Sequence, residues 1–421
     1  GSLRGASNSL NGAEPHASGS IVVIGGNALE VYGSNSVYRD FEIMNSRPGR
    51  DGNIENQGIG RGTGISVFSN GTKLINLIVH DNGGGIGTGS GSSNTEIYGC
   101  LVFNNGIHSR DGTTSEKPHG HGMYLQNMNG YSRVYENVVL NNFNLGLQGY
   151  GATADYVGGD IQGSIFFNSG SPMRKFKANF TSVNLLVGPE SVPSPTLVLK
   201  LSHVYQPITG TGVNIGYGSG VSNATITDNY FVGGETPLQI GNVTYAQVMR
   251  NRIYSPISFV FYTHMSPGQR TWDQNIYYGA EGKTAFAVMG VMFGQFAQWR
   301  QVTGYDQAGM TTSGAMPDTV MVRPNAYQPG RANVVIYSFS GATTASIDLS
   351  TTGLTNGQSF VIRNTQNYFG PIVASGTYSS SNPVVSVSLV GPAQSVAAPI
   401  GHGYTPASTC PQFCPMIVTP Q

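Results

Sequence analysis

Four of the chain's eight histidines, His80, His108, His119 and His121, fall between residues 80 and 121. His119 and His121 stand in His-Gly-His-Gly, where two imidazoles are separated by a residue with no side chain. Such a pair can present both rings to one site, as general acid or base or as metal ligands. The plain alternative is a histidine packed at a turn and bonded to backbone. The motif ends the segment 106–121, GIHSRDGTTSEKPHGH, which adds Arg110, Asp111, Glu116 and Lys117. An earlier polar segment, 46–62, adds Arg47, Arg50, Asp51, Glu55 and Arg61. A zinc site on the histidines would need Asp111 or Glu116 as further ligands, and the spacing is not diagnostic. Oxygen ligands from Asp51, Asn53, Glu55, Asp111 and Glu116 suit calcium, the one ion expected here; no cofactor is required.

A second cluster is cationic. Arg174, Lys175 and Lys177 lie in RKFKANF, and Lys200 in LVLKLS. Lysine beside other cations titrates low enough to act as a base, and lysine or arginine can neutralise a sugar carboxylate. With Tyr124 and His121 as acids, these residues supply the roles that β-elimination from a uronate needs.

Positioning such groups falls to a repeat. One eight-residue pattern recurs: apolar, two variable, a small residue or Asn, three mostly apolar, then Asn, Asp, Gly or Ser. Its copies end at Asn45, Asp81, Asn104, Asn141, Asn168, Gly188, Gly233, Ser255 and Gly279. The shorter spacings match one bare solenoid coil, and the longer ones are coils with inserted loops. One apolar column holds Tyr38, Leu74, Ile97, Val134, Ile161, Ile226, Val248 and Trp272. A second holds Ile43, Val79, Val102, Val139, Phe166, Leu186, Phe231, Ile253 and Tyr277. Between them runs a column with Asn137, Asn184, Asn229, Asn251 and Asn275. Stacking coils buries such columns continuously, which no single coil can do. The expected fold is all-β, a right-handed parallel β-helix. An ordinary β-sandwich with Asn-rich turns would not explain the aligned copies.

The stacked pattern, with NGTKLINLIVHDNGGGIG and HGHGMYLQN, resembles the pectate-lyase-like right-handed β-helix superfamily, most of all its secreted bacterial members. The resemblance covers residues 20–280. It implies the fold and a carbohydrate-active, extracellular setting. It is weak for the reaction, because the superfamily holds lyases, hydrolases, epimerases, tailspikes and adhesins.

In such a solenoid a strand follows each turn column, and its outward residues form one flat face. The strands align as GISVF from Gly64, GIGTG from Gly85, GMYLQ from Gly122, GLQGY from Gly146, KFKANF from Lys175 and LVLKLS from Leu197. Alternation sends Ile65, Met123, Leu147, Phe176 and Leu199 inward. It sends Ser66, Phe68, Tyr124, Gln126, Gln148, Tyr150, Lys175, Lys177, Asn179 and Lys200 outward, with Asn214, Gln239 and Tyr262 continuing the face. The expected catalytic set is His121, Lys177, Lys200, Tyr124, His119 and Arg174. The expected binding set is Lys175, Gln126, Gln148, Tyr150, Phe68, Arg110 and Lys117. Segments 46–62 and 106–121 should enter as neighbours on one side of this face.

Residues 1–282 read as the β-helix and 283–316 as a helical cap. Residues 317–400 read as a small antiparallel β-sandwich, and 401–421 as a tail in which Cys410 and Cys414 can pair. Cys100 reads as a small core residue. Lys plus Arg and Asp plus Glu each number 21, so no net charge steers the chain to nucleic acid or an acidic membrane. No apolar run is long enough to span a bilayer. The Gly-Ser start without a signal peptide reads as a mature or truncated product. The expected function is a secreted polysaccharide lyase acting on a uronate polymer. A glycoside hydrolase and a non-catalytic adhesin or matrix protein remain as alternatives, although no carboxylate pair is evident on the face.

Overall fold

The computed structural model describes residues 20–22, 26–52, 61–110, 116–151, 156–255, 260–262, 270–280, 286–288 and 291–421. Among these, three long sheets run through the first part of the chain, and each coil contributes one short strand to each. One coil reads Ile78–His80 in sheet I, Gly84–Thr88 in sheet II and Glu96–Tyr98 in sheet III; Leu101–Phe103 then returns to sheet I. The described strands number 11 in sheet I, 11 in sheet II and 9 in sheet III. Nearly all neighbours in them are parallel; Val291–Phe293 closes sheet II antiparallel to Phe286–Val288. This is a parallel β-helix.

The stacking follows the apolar columns. Sheet III aligns Tyr38, Leu74, Ile97, Val134, Ile161, Leu199, Ile226, Val248 and Trp272. Sheet I aligns Ile43, Val79, Val102, Val139, Phe166, Val204, Phe231, Ile253 and Tyr277. Most of these side chains are fully buried in one continuous core that also holds Cys100. Burying each aliphatic side chain contributes about 1.5–3 kcal/mol.

One copy of the repeat was misplaced by the sequence pattern. The sheet I strand is His203–Gln206, so the copy ends at Gln206 and not at Gly188. Leu186 belongs to sheet II, facing outward beside Gln148. His203 and Gln206 hid the true copy by breaking its apolar signature. The Gly188 copy had no member in the first apolar column, which was the available warning.

The turn between sheets III and I carries a side-chain ladder. Asn137 Oδ1 accepts from the Cys100 N–H at 2.9 Å, and Ser164 Oγ from Asn137 N–H at 3.2 Å. Asn229, Asn251 and Asn275 continue it at 2.9, 3.0 and 2.9 Å. Each amide satisfies a buried backbone donor that the tight turn would otherwise leave unpaired. Asn184 belongs to another ladder, at the turn from sheet I to sheet II, where Asn82, Asn105 and Asn142 stack and Asn184 accepts from Ser169 N–H at 3.0 Å.

The helix unit comprises residues up to Gly314 together with Pro399–Tyr404. It therefore continues beyond residue 282: Met310–Thr312 is its last sheet I strand. The short helix is Phe296–Thr303, with Trp299 fully buried.

The second unit, described by itself, contains a five-stranded antiparallel sheet and a paired two-stranded one. Its core includes Val334, Ile336, Ile347, Ile362, Val387 and Val418. Residues 401–421 are not a tail. Met416–Pro420 lies in the middle of the five-stranded sheet, between Ala332–Tyr337 and Ser359–Asn364, because its apolar run completes that core. Cys410 and Cys414 form a disulfide.

Candidate functional site

Three insertions leave the helix at one corner, between a sheet I strand and the following sheet II strand: 45–62, 104–122 and 168–184. The first two pair with one another. Ile107–Arg110 and Glu116–His119 form an antiparallel hairpin, and Asp51–Gly52 adds a parallel strand beside His108 and Ser109. Beneath them lies a buried charge cluster. Asp81 Oδ1 accepts from Arg50 Nη2 at 3.0 Å and from Ile400 N–H at 2.7 Å. Its Oδ2 meets His80 Nδ1 at 2.7 Å, and His80 Nε2 meets Glu42 Oε1 at 2.8 Å. Burial alone would lower the His80 pKa; its hydrogen bonds to the two carboxylates outweigh that and raise it. Burial would likewise raise Asp81, but Arg50 and His80 hold it below the ordinary carboxylate value. Arg61 donates to the carbonyls of Gly49 and Asn45 at 2.8 and 2.9 Å. Burial, and then Arg50, bring its pKa down to about 9.

The second insertion delivers His121 to the edge of sheet II, just before Met123–Leu125. The outward column of this sheet is Glu30, Ser66, Gly87, Tyr124, Gln148, Leu186, Asn214 and Gln239. Along the backbone, Phe261 is in register with Gln239, and Tyr262, expected to continue the face, is in register with Ile240. Beside this column stand Tyr32, Phe68, Gln126 and Tyr150, each one residue beyond its strand's last inward position. The inward partners Ile65, Met123 and Leu147 are fully buried.

A cavity of about 380 Å³ opens in this face, lined by Thr63, Ser66, Phe68, the glycines of 83–89, Gly120, His121, Tyr124 and Gln126. Glycine makes its floor. A Cβ on Gly85 would sit 2.2 Å from Gly122 O, so packing alone forbids a side chain there. At Gly87 a Cβ would meet nothing closer than 3.8 Å. Packing does not demand glycine at 87, yet its missing side chain leaves the gap between Ser66 and Tyr124.

On one wall the His121 ring stacks on Tyr124 with centroids 5.5 Å apart. His121 Nδ1 has no hydrogen-bond partner among the described residues. Burial, and then nearby His119, lower its pKa to about 4, so the imidazole is neutral at ordinary pH. Burial raises the Tyr124 phenol, which remains protonated; Gln126 Nε2 donates to its oxygen at 3.2 Å. Aromatic rings extend the face both ways. Tyr32 stacks on Phe68 at 5.2 Å, Tyr124 faces Tyr150 at 6.5 Å, and Tyr150 faces Tyr217 at 6.2 Å. Tyr150 donates to Glu190, which raises its pKa to about 12.

The expected lysine face does not form. Lys175 closes a 3-10 turn, Ser171–Lys175, and Lys177 follows it within the third insertion. Gly170 in the left-handed conformation and Pro172 at the turn's start favour that turn over a strand. Phe176, expected inward, instead stacks on His108 at 3.7 Å. Lys175 Nζ donates to the His402 carbonyl. Arg174 donates to Asn168 Oδ1 at 3.0 Å and Phe180 O at 3.1 Å, and burial lowers it to about 10. Lys200 ends Ser194–Lys200 in sheet III, in register with Gln162 and Thr227. Lys177, Lys200 and Tyr124 therefore occupy three different places: a corner insertion, sheet III and sheet II.

His119 also leaves the cavity, its Nε2 lying 2.6 Å from Ser109 Oγ in the hairpin. By backbone register Lys117 lies opposite Ser109 in the same hairpin, and Arg110 opposite Glu116. The Glu116 carboxylate meets His108 Nε2. Of the expected calcium ligands, Asn53, Glu55 and Asp111 lie outside the described residues. Among the described residues no group of three His, Cys, Asp or Glu is placed to hold a metal ion. No described helix is long and apolar enough to cross a membrane. Sequence reasoning missed Tyr32, Tyr217, Glu30 and Glu190. Val31-Tyr32 repeats Val67-Phe68 one coil earlier, and that was the signal for Tyr32.

Fold and site together define a parallel β-helix with an aromatic, amide-lined groove on one sheet. No family model matches the chain, and no curated protein matches it. Among solved structures, the chain is similar to the crystal structure of Dettilon tailspike protein (gp208), at 11% identity over 93% of this chain and 87% of that chain, with a TM-score of 0.35.

Proposed function

We propose that this protein is an extracellular β-helix that binds a polysaccharide along the outward face of sheet II and cleaves it by β-elimination. The observation that carries the reading is the glycine-floored cavity with neutral His121 stacked on protonated Tyr124. In the reaction His121 takes the C5 proton of a uronate, the C4–C5 double bond forms, and the C4–O bond breaks. Tyr124 protonates the departing glycosidic oxygen. A neutral base and a protonated acid in one site are the states this chemistry requires at ordinary pH. With the lysines elsewhere, the uronate carboxylate meets neutral donors, namely the Gln126 amide and the hydroxyls of Thr63 and Ser66. The flanking rings of Phe68, Tyr150 and Tyr217 suit stacking against sugar rings.

A panel of acidic and neutral polysaccharides tests this by two readouts, binding in affinity gels and ultraviolet absorbance of the unsaturated product. Absorbance that requires His121 supports the lyase. Binding without absorbance on any uronate polymer removes the elimination and leaves a glycan-binding protein. No binding across the panel sinks the reading as a whole.

A further inference from the structure

The charge on the groove narrows the substrate. The described outward positions of sheet II carry no lysine or arginine from Glu30 through Gln239. Carboxylates flank the cavity, Glu30 within that column and Glu190 in the turn that follows the sheet II strand Leu185–Val187. Glu30 stands two coils before Gly87, at the head of the outward column, held by Asn27 Nδ2 at 2.8 Å and Tyr32 Oη at 3.1 Å. Glu190 stands on the other side, its N–H donating to Gly151 O at 3.1 Å, just after Tyr150. Between them, among the described residues, only neutral groups line the cavity. A polymer with a carboxylate on every sugar would set like charges against Glu30 and Glu190 with no cation among the described residues of the face to offset them. Neutral rings at those positions would instead meet Tyr32, Phe68, Tyr150 and Tyr217.

Resting on the polysaccharide reading above, we infer that the groove selects a heteropolysaccharide whose carboxylate-bearing sugar sits in the cavity and whose flanking sugars are uncharged. Glu30 and Glu190 are then specificity-determining residues that discriminate against homopolyuronates. Like charges disfavour the wrong ligand, which is how specificity is commonly built. The discrimination weakens as salt screens it.

Two polymers that differ in charge alone test this: polygalacturonate, and the same chain with most carboxyls methyl-esterified. Dissociation constants are measured by affinity gel electrophoresis on the full chain at low salt. The esterified chain should bind at least roughly tenfold more tightly, on the order of 1.4 kcal/mol. The Glu30→Gln, Glu190→Gln double variant should narrow the ratio at least threefold by improving polygalacturonate binding, and high salt should narrow it in the wild type. Gly87→Val should abolish binding of the esterified chain, which places that binding in the groove. Equal or tighter binding of polygalacturonate, lost on Gly87→Val, overturns the selectivity and leaves the groove intact. A ratio unmoved in the double variant also overturns it. Failure of both chains to bind, or binding that Gly87→Val leaves intact, counts against the groove itself.

Discussion

His80 and His121 lie on successive stretches of the same helix and are treated in opposite ways. At His80 both ring nitrogens meet carboxylates, Asp81 at 2.7 Å and Glu42 at 2.8 Å, and the pKa rises. At His121 one ring nitrogen has no partner and no carboxylate offsets the burial among the described residues, and the pKa falls to about 4. One histidine is consumed by holding the corner together; the other keeps its proton-accepting capacity unspent at a cavity wall. A polar group left unsatisfied costs stability, so it marks a position where something other than stability is served. The two sheets at this end differ in the same sense. Sheet III pairs its outward charges, as in Lys73 with Glu96 at 3.0 Å, while the sheet II face offers rings, amides and a gap.

The strongest way to break the comparison is at the corner. Asp81→Ala leaves Arg50 and His80 buried without their shared carboxylate, and should cost about 3–5 kcal/mol in denaturant unfolding. A loss below about 1 kcal/mol would mean that the cluster is not structural. His121→Gln should do the reverse. It should lower kcat/KM by about 10²–10⁴-fold on a cleaved polymer while leaving the melting temperature close to wild type. A large drop in melting temperature with activity retained per folded molecule would return His121 to a packing role.

Filling the cavity gives an intermediate effect. Gly87→Val adds a side chain where the backbone has room, so thermal unfolding should be unchanged while glycan binding is lost. Retained binding would move the groove elsewhere.

Acidity separates the two histidines by sign. Between pH 6.5 and about 4 the unfolded chain protonates His121 and the folded chain does not, so this residue's contribution to stability falls as pH falls through that window. His80, with its raised value, contributes stability that is fully present below pH 6.5 and is lost as pH rises through its folded value. Melting curves of His121→Gln should therefore show a shallower loss between pH 6.5 and 4 than the wild type. An identical slope would deny the shift. The smallest effects belong to the lysines: Lys177→Ala and Lys200→Ala should each change stability by less than about 0.5 kcal/mol and leave turnover unchanged. A tenfold loss in either would place a lysine back at the site.

Much of this was legible without coordinates, because the solenoid writes its core into the chain. Leu74, Ile97, Val134 and Ile161 recur at the same place in each coil since every coil must bury the same positions against its neighbours. Alternation then fixed Tyr124, Gln126, Gln148 and Tyr150 as outward from the buried Met123 and Leu147. The local pattern could not say which sheet a strand joins when a coil is interrupted. KFKANF and LVLKLS both alternate acceptably, yet one follows a turn set by Gly170 and Pro172, and the other pairs in sheet III. Segment 399–404 illustrates the same limit, since the Ile400 N–H reaches Asp81 from 319 residues away.

The sequence by itself determined the repeat, the stacked apolar columns and the face on which His121 and Tyr124 lie, because these depend on side-chain periodicity within a coil. The tertiary structure decided that the expected lysines leave that face, and which histidine is spent on carboxylates and which is not. Those outcomes depend on where each insertion folds back and on what it finds there, and no local spacing encodes them.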